Sequence, residues 1–126
     1  MNRHGSGAQI FVAAVLLAGQ PSPAQSITDP ALVAQAQVEA DDRVIAARCG
    51  SAAFEKQFFR SSQAVVRAGL VSDRTSPARV EQAITALRRN PIVLVTANVD
   101  CAAQLQRLEQ VIKSRSHSVG TSRQRR

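Results

Sequence analysis

Residues 29–51 read DPALVAQAQVEADDRVIAARCGS, and the reading of this stretch decides the fold. Asp29 offers a side-chain oxygen to the unpaired amides of a helix start, and Pro30 at the first helical position gives up only a donor that would be unpaired there. From Pro30 to about Arg48 no further Gly or Pro occurs, and Leu32, Ala36, Ala40, Val44 and Ala47 recur at helical spacing as a stripe of small apolar side chains. Glu39 and Arg43 stand four apart in the favourable order, which reads as an exposed pair worth a few tenths of a kcal/mol. Asp41 and Asp42 read as a solvated face beside Arg43, because neighbours on a helix point about 100° apart. Gly50 is placed to take a left-handed cap after Cys49, and Ser51 to cap the next helix.

Further along, the second helix runs from Ser51 to about Ala68 and stops at Gly69. Phe54, Phe58, Ser62 and Val65 mark one face, with Phe59 and Val66 beside it. Aromatic side chains bury the largest areas, so this helix is predicted to be the central core element. Residues 70–75, LVSDRT, read as a connector. Ser76-Pro77 then opens a third helix in which Val80, Ala83, Ile84 and Leu87 match the i, i+3, i+4, i+7 template. The run Ile92 to Val95 suits a buried strand and a helical turn equally, but a lone strand would leave its amides unpaired. Asn90-Pro91 repeats the cap-plus-proline signal, so a fourth helix is predicted from Pro91, with Asn98 as its weak point. It continues through Cys101, Leu105, Leu108 and Ile112 to about Lys113. Residues 114–126, rich in Ser, Arg and Gln without periodicity, are expected to form a disordered basic tail. The fold class is all-α: a small antiparallel bundle of about four helices over residues 25–113.

Toward the N-terminus, residues 1–9 carry Arg3 and no acid, residues 10–18 (IFVAAVLLA) are uninterrupted apolar, and residues 19–26 (GQPSPAQS) break the run. This is the layout of a secretory signal peptide with cleavage expected after Ala24. A bilayer-spanning helix needs about 20 apolar residues, more than this run supplies. The expected location is therefore the periplasm or the exterior. The arginine-rich, alanine-rich composition without Tyr or Trp hints at a GC-rich bacterial source.

The formal charge of +7 is unevenly spread. Lys113, Arg115, Arg123, Arg125 and Arg126 fall within residues 113–126, which contain no acid, whereas residues 25–112 are nearly balanced. These five are the candidate polyanion contacts, by a salt-sensitive and sequence-independent attraction. In an envelope compartment the polyanion would be a lipid headgroup, a lipopolysaccharide phosphate or an acidic wall polymer; no specific nucleic acid is expected.

Cys49 and Cys101 are the only cysteines. An exported chain meets an oxidising compartment, where an even count argues for a structural disulfide. Metal binding fails on inventory, since zinc sites want about four ligands and the segment after residue 24 adds only His117 to the cysteines. Redox catalysis would want the two thiols two residues apart. A lone histidine in a tail is poorly placed as a catalytic base. No Gly-rich phosphate loop, Walker-type lysine or dinucleotide fingerprint occurs, so no cofactor and no enzymatic activity are expected. The leading expectation is an exported non-enzymatic protein that binds another macromolecule as an adaptor, inhibitor or chaperone-like factor. The alternative is an envelope-surface or polyanion-binding protein acting through its basic C-terminal residues.

Overall fold

The structure, a computed structural model, describes residues 29–91 and 100–126. These form four α-helices: α1 (Pro30–Cys49), α2 (Ala52–Arg67), α3 (Pro77–Leu87) and α4 (Cys101–Gln124). The all-α bundle expected from the sequence is present, and no strand occurs among the described residues. The leader expected over residues 1–24 and the choice between helix and strand at 92–95 lie outside the described residues.

The helix starts follow their caps. The Asp29 carboxylate accepts from the Ala31 amide at 3.0 Å and the Ser51 hydroxyl from the Phe54 amide at 3.2 Å. Ser76 makes no side-chain cap bond; its carbonyl takes the amides of Arg79 and Val80. The start expected at Pro91 is corrected. Pro91 is not helical, and the Asn90 amide is spent closing the end of α3 on the Leu87 carbonyl at 3.0 Å. Asp100 caps α4 instead, accepting from the Ala103 amide at 3.2 Å.

The two glycines that end α1 and α2 act differently. Gly69 has φ +71°, the left-handed conformation that an L side chain rarely adopts. Gly50 was expected to do the same and does not: its φ of −89° is extended backbone. Its glycine is required by close approach, since a Cβ there would stand 2.6 Å from the Ala46 carbonyl oxygen and 2.7 Å from Phe54 Cδ1.

The helices alternate in direction. Cys49 meets Cys101, Asp42 meets Arg107 and Glu39 meets Arg115, so α1 and α4 run antiparallel. Arg43 reaches forward to Glu81 on the parallel α3 and across to Ser62 on the antiparallel α2. α1 and α2 each touch all three other helices, whereas α3 and α4 do not meet among the described residues.

α2 is central as expected, with Phe58 fully buried, but it shares that place with α1, which has the longer buried run. Every residue from Glu39 to Ala46 is buried, because neighbours on three sides leave no face for water. The same crowding overturns two expectations: Glu39 and Arg43 are not an exposed pair, and Asp41 and Asp42 are not solvated. Ala47, placed on the apolar stripe, is exposed.

Apolar packing divides into two clusters. One, of small aliphatic residues, gathers Leu32, Ala36, Ala40, Val65, Val80 and Ile84 with others, and Leu87 and Val119 pack against it. The second joins Ile45, Ala46, Phe58 and Leu108, flanked by Cys49, Phe54, Val111 and Ile112.

The expected disorder of residues 114–126 is also corrected, since α4 continues through Gln124. Its inward stripe runs Leu108, Val111, Ile112, Arg115 and Val119, at helical spacing. Hydroxyl groups that would otherwise compete with the helix bond back to its own carbonyls: Ser116 to Ile112, Ser118 to Ser114 and Thr121 to His117.

Candidate anion-binding surface at one end of the bundle

Ionic groups here fall into two populations, those consumed by the interior and those presented outside. The interior group starts at Glu39, which is 6% exposed. One carboxylate oxygen accepts from Arg115 of α4, and the other accepts from the Ser62 hydroxyl of α2 at 2.7 Å. Ser62 in turn accepts from Arg43 Nε at 2.8 Å, and the two terminal nitrogens of Arg43 hold the Glu81 carboxylate of α3. This chain of contacts ties all four helices together at mid-bundle with balanced charge. The Arg43 guanidinium also lies 4.6 Å from the Phe59 ring centroid, and that of Arg115 lies 5.2 Å from Phe58. A second bridge joins Arg107 to buried Asp42 at 2.6 Å, while Gln37 donates to Asp41 at 2.9 Å.

The two glutamates are shifted in opposite senses. Burial pushes the Glu39 carboxyl above its ordinary range, with Arg115 and the Ser62 hydroxyl working against it. Glu81 is held below its ordinary range by the hydrogen bonds from Arg43, with burial opposing.

Cys49 and Cys101 form the expected disulfide, with their Cα atoms 5.1 Å apart, at the junction of the end of α1 with the start of α4. It tightens the end of the bundle where the second cluster lies.

Of the five cations singled out in the sequence, Arg115 belongs to the interior: its side chain is 13% exposed and bridges to Glu39. Its Nη1 is buried without a hydrogen-bond partner among the described residues. Lys113, Arg123, Arg125 and Arg126 are exposed. Arg123 and Arg126 lie with Arg67, from the last turn of α2, around a groove of about 180 Å³ floored by Ala64, Ala68 and Val119. Arg67 escaped sequence reading because it is far from the basic C-terminal stretch in the chain; the parallel course of α2 and α4 brings it there. Arg67 is itself exposed, and its Nη2 donates to Gln63 at 3.3 Å.

Among the described residues no group of three or more His, Cys, Asp and Glu is placed to hold a metal ion, and no helix is long and apolar enough to cross a membrane. His117 is exposed on α4. No family model, curated protein or solved structure matches this chain.

Proposed function

We propose that this is an exported, non-enzymatic helical protein that works by binding an anionic envelope surface through the cationic C-terminal part of α4. The observation that carries the reading is the division of charge just described. Arg43, Arg107 and Arg115 are spent on carboxylates of the fold, whereas Lys113, Arg123, Arg125 and Arg126 face outward on a helix anchored by Val119. Cations held on a docked helix meet a polyanion without the entropy loss that ordering a flexible tail would impose. Export is supported by the leader-like residues 1–24 and by a disulfide suited to an oxidising compartment.

The test is binding of the full chain to anionic and neutral vesicles across ionic strength. The expected result is anion-dependent binding that weakens with salt, and weakens further when Lys113, Arg123, Arg125 and Arg126 are together changed to Gln. Unchanged affinity in that variant would sink the reading. A protein-binding version, as adaptor, inhibitor or chaperone-like factor, draws on the exposed large apolar side chains Val38 and Leu70. Its check is whether Val38→Ser with Leu70→Ser abolishes partner capture from envelope extracts.

A further inference from the structure

We infer that the groove between the last turns of α2 and α4 is a binding site for a phosphate monoester, with Arg67, Arg123 and Arg126 as its contacts. This deepens the surface-binding reading above and rests on it for the setting, but it makes a distinct claim: position in the groove, not total charge, decides affinity.

Three arginines line the groove, and no acidic residue does. The carbonyl ends of α2 and α4 lie at the same end of the bundle, each helix terminus carrying about −0.5 charge. Three full positive charges outweigh both, so the groove stays cationic. A phosphate monoester carries about −1.5 to −2 near neutral pH, so a cationic groove draws it more strongly than a carboxylate or a phosphodiester with a single charge. The planar fork of arginine suits phosphate oxygens.

Size and lining limit the ligand further. At about 180 Å³ the groove is smaller than the roughly 300–1,000 Å³ of sites that enclose a whole small molecule. It admits a headgroup at the end of something larger. Ala64, Ala68 and Val119 give it an apolar floor of small side chains, on which the first methylenes or the ester carbons beside a phosphate can rest. The arginines are also well placed for a simpler reason, since cations near helix C-termini are stabilising. That effect accounts for Arg67 and Arg123 singly; it does not account for three arginines lining one groove with Ala64, Ala68 and Val119.

The experiment uses the full chain with phosphatidylcholine vesicles carrying equal surface charge as phosphatidic acid, a monoester, or as phosphatidylglycerol, a diester. Comparing the two cancels any contribution of residues 10–18. Inorganic phosphate, followed through the arginine Nε resonances, is the soluble arm. Arg67→Ala and Arg123→Ala are each expected to weaken binding to phosphatidic acid vesicles about fivefold. Arg125→Ala removes the same charge from outside the groove and is expected to have much less effect. Inorganic phosphate should shift the Arg67 and Arg123 signals and leave Arg125 unmoved. Equal losses for Arg67→Ala and Arg125→Ala, with the two anionic lipids bound alike, would overturn the site and leave surface binding standing. Shifts of Arg67 and Arg123 by inorganic phosphate without binding to either vesicle would keep the site and overturn surface binding. Absence of phosphate-induced shifts at Arg67 overturns the site in every case. All variants are exposed substitutions, and unchanged far-UV circular dichroism verifies that they fold.

Discussion

The two ends of the bundle are held by different means. Where α1 finishes and α4 begins, a covalent bond joins the helices, and Phe58, Ile45 and Leu108 fill the space behind it. At the other end no disulfide links the helices among the described residues, and the core is made of alanines, valines and a few larger aliphatic residues. Between the ends lies the layer of Glu39, Arg43, Ser62, Glu81 and Arg115. The contrast teaches that the C-terminal part of α4 is attached chiefly by one buried ion pair and one valine. The phosphate-site candidates sit on that less firmly fastened end.

The largest way to break the contrast is to remove the layer both ends share. Arg43→Ala deletes the bonds to Ser62 and Glu81 and leaves neighbouring charge buried, with an expected loss of about 3–5 kcal/mol in urea unfolding. Replacing Cys49 and Cys101 by Ser should cost about 4 kcal/mol in the chain-entropy account of a closed loop. In that variant amide protection should fall first around Ile45, Phe58 and Leu108 and later around Val80 and Ile84. Simultaneous loss everywhere would mean the two clusters form a single cooperative unit.

Glycine substitutions sharpen the comparison on a smaller scale. Gly50→Ala drives a Cβ into backbone and should destabilise the disulfide end by about 1–3 kcal/mol. Gly120→Ala meets nothing within 4 Å in the exposed part of α4 and should stabilise by about 1 kcal/mol, read as raised helicity and melting temperature.

The smallest expected effect is the response to pH, because Glu81 is partly exposed and its pairing is screened. Its folded pKa lies below the ordinary 4.5, so its contribution is full above that value and lost as pH falls through the lowered one. Glu39 has the opposite sign: its contribution is present below 4.5 and is lost as pH rises through its raised value. Glu81→Gln should flatten the limb of stability below pH 4.5, and Glu39→Gln the limb above it. Measured unfolding midpoints that keep both limbs in both variants would contradict these assignments.

Much of the fold was legible where a single residue type has one strong local use. The caps at Asp29 and Ser51, the stop at Gly69 and the template Val80, Ala83, Ile84, Leu87 all act within a turn of themselves. The disulfide was legible from the even cysteine count and the leader-like residues 1–24. The centre of α1 was not, because the burial of Glu39, Asp42 and Arg43 depends on helices that come later in the chain. Charge argues for solvent until a partner of opposite sign is brought from elsewhere. The C-terminal part of α4 failed for the same reason. Arg115 occupies the inward stripe between Ile112 and Val119, and a cation there breaks the apolar pattern unless Glu39 is known to face it. Of the site, the four exposed cations were visible in the sequence, and Arg67 was not, because only the helix packing sets it beside them.

The staple between Cys49 and Cys101 encloses α2, α3 and the connector over residues 70–76 within one covalent ring. A protease that cuts once in that connector therefore yields a two-chain protein rather than two fragments. All four helices remain joined, through the peptide backbone on one side of the cut and through sulfur on the other. The nick gains one water in mass, and the two chains come apart only on reduction. A protein built this way tolerates a first cleavage in that connector and keeps its α2–α4 groove assembled.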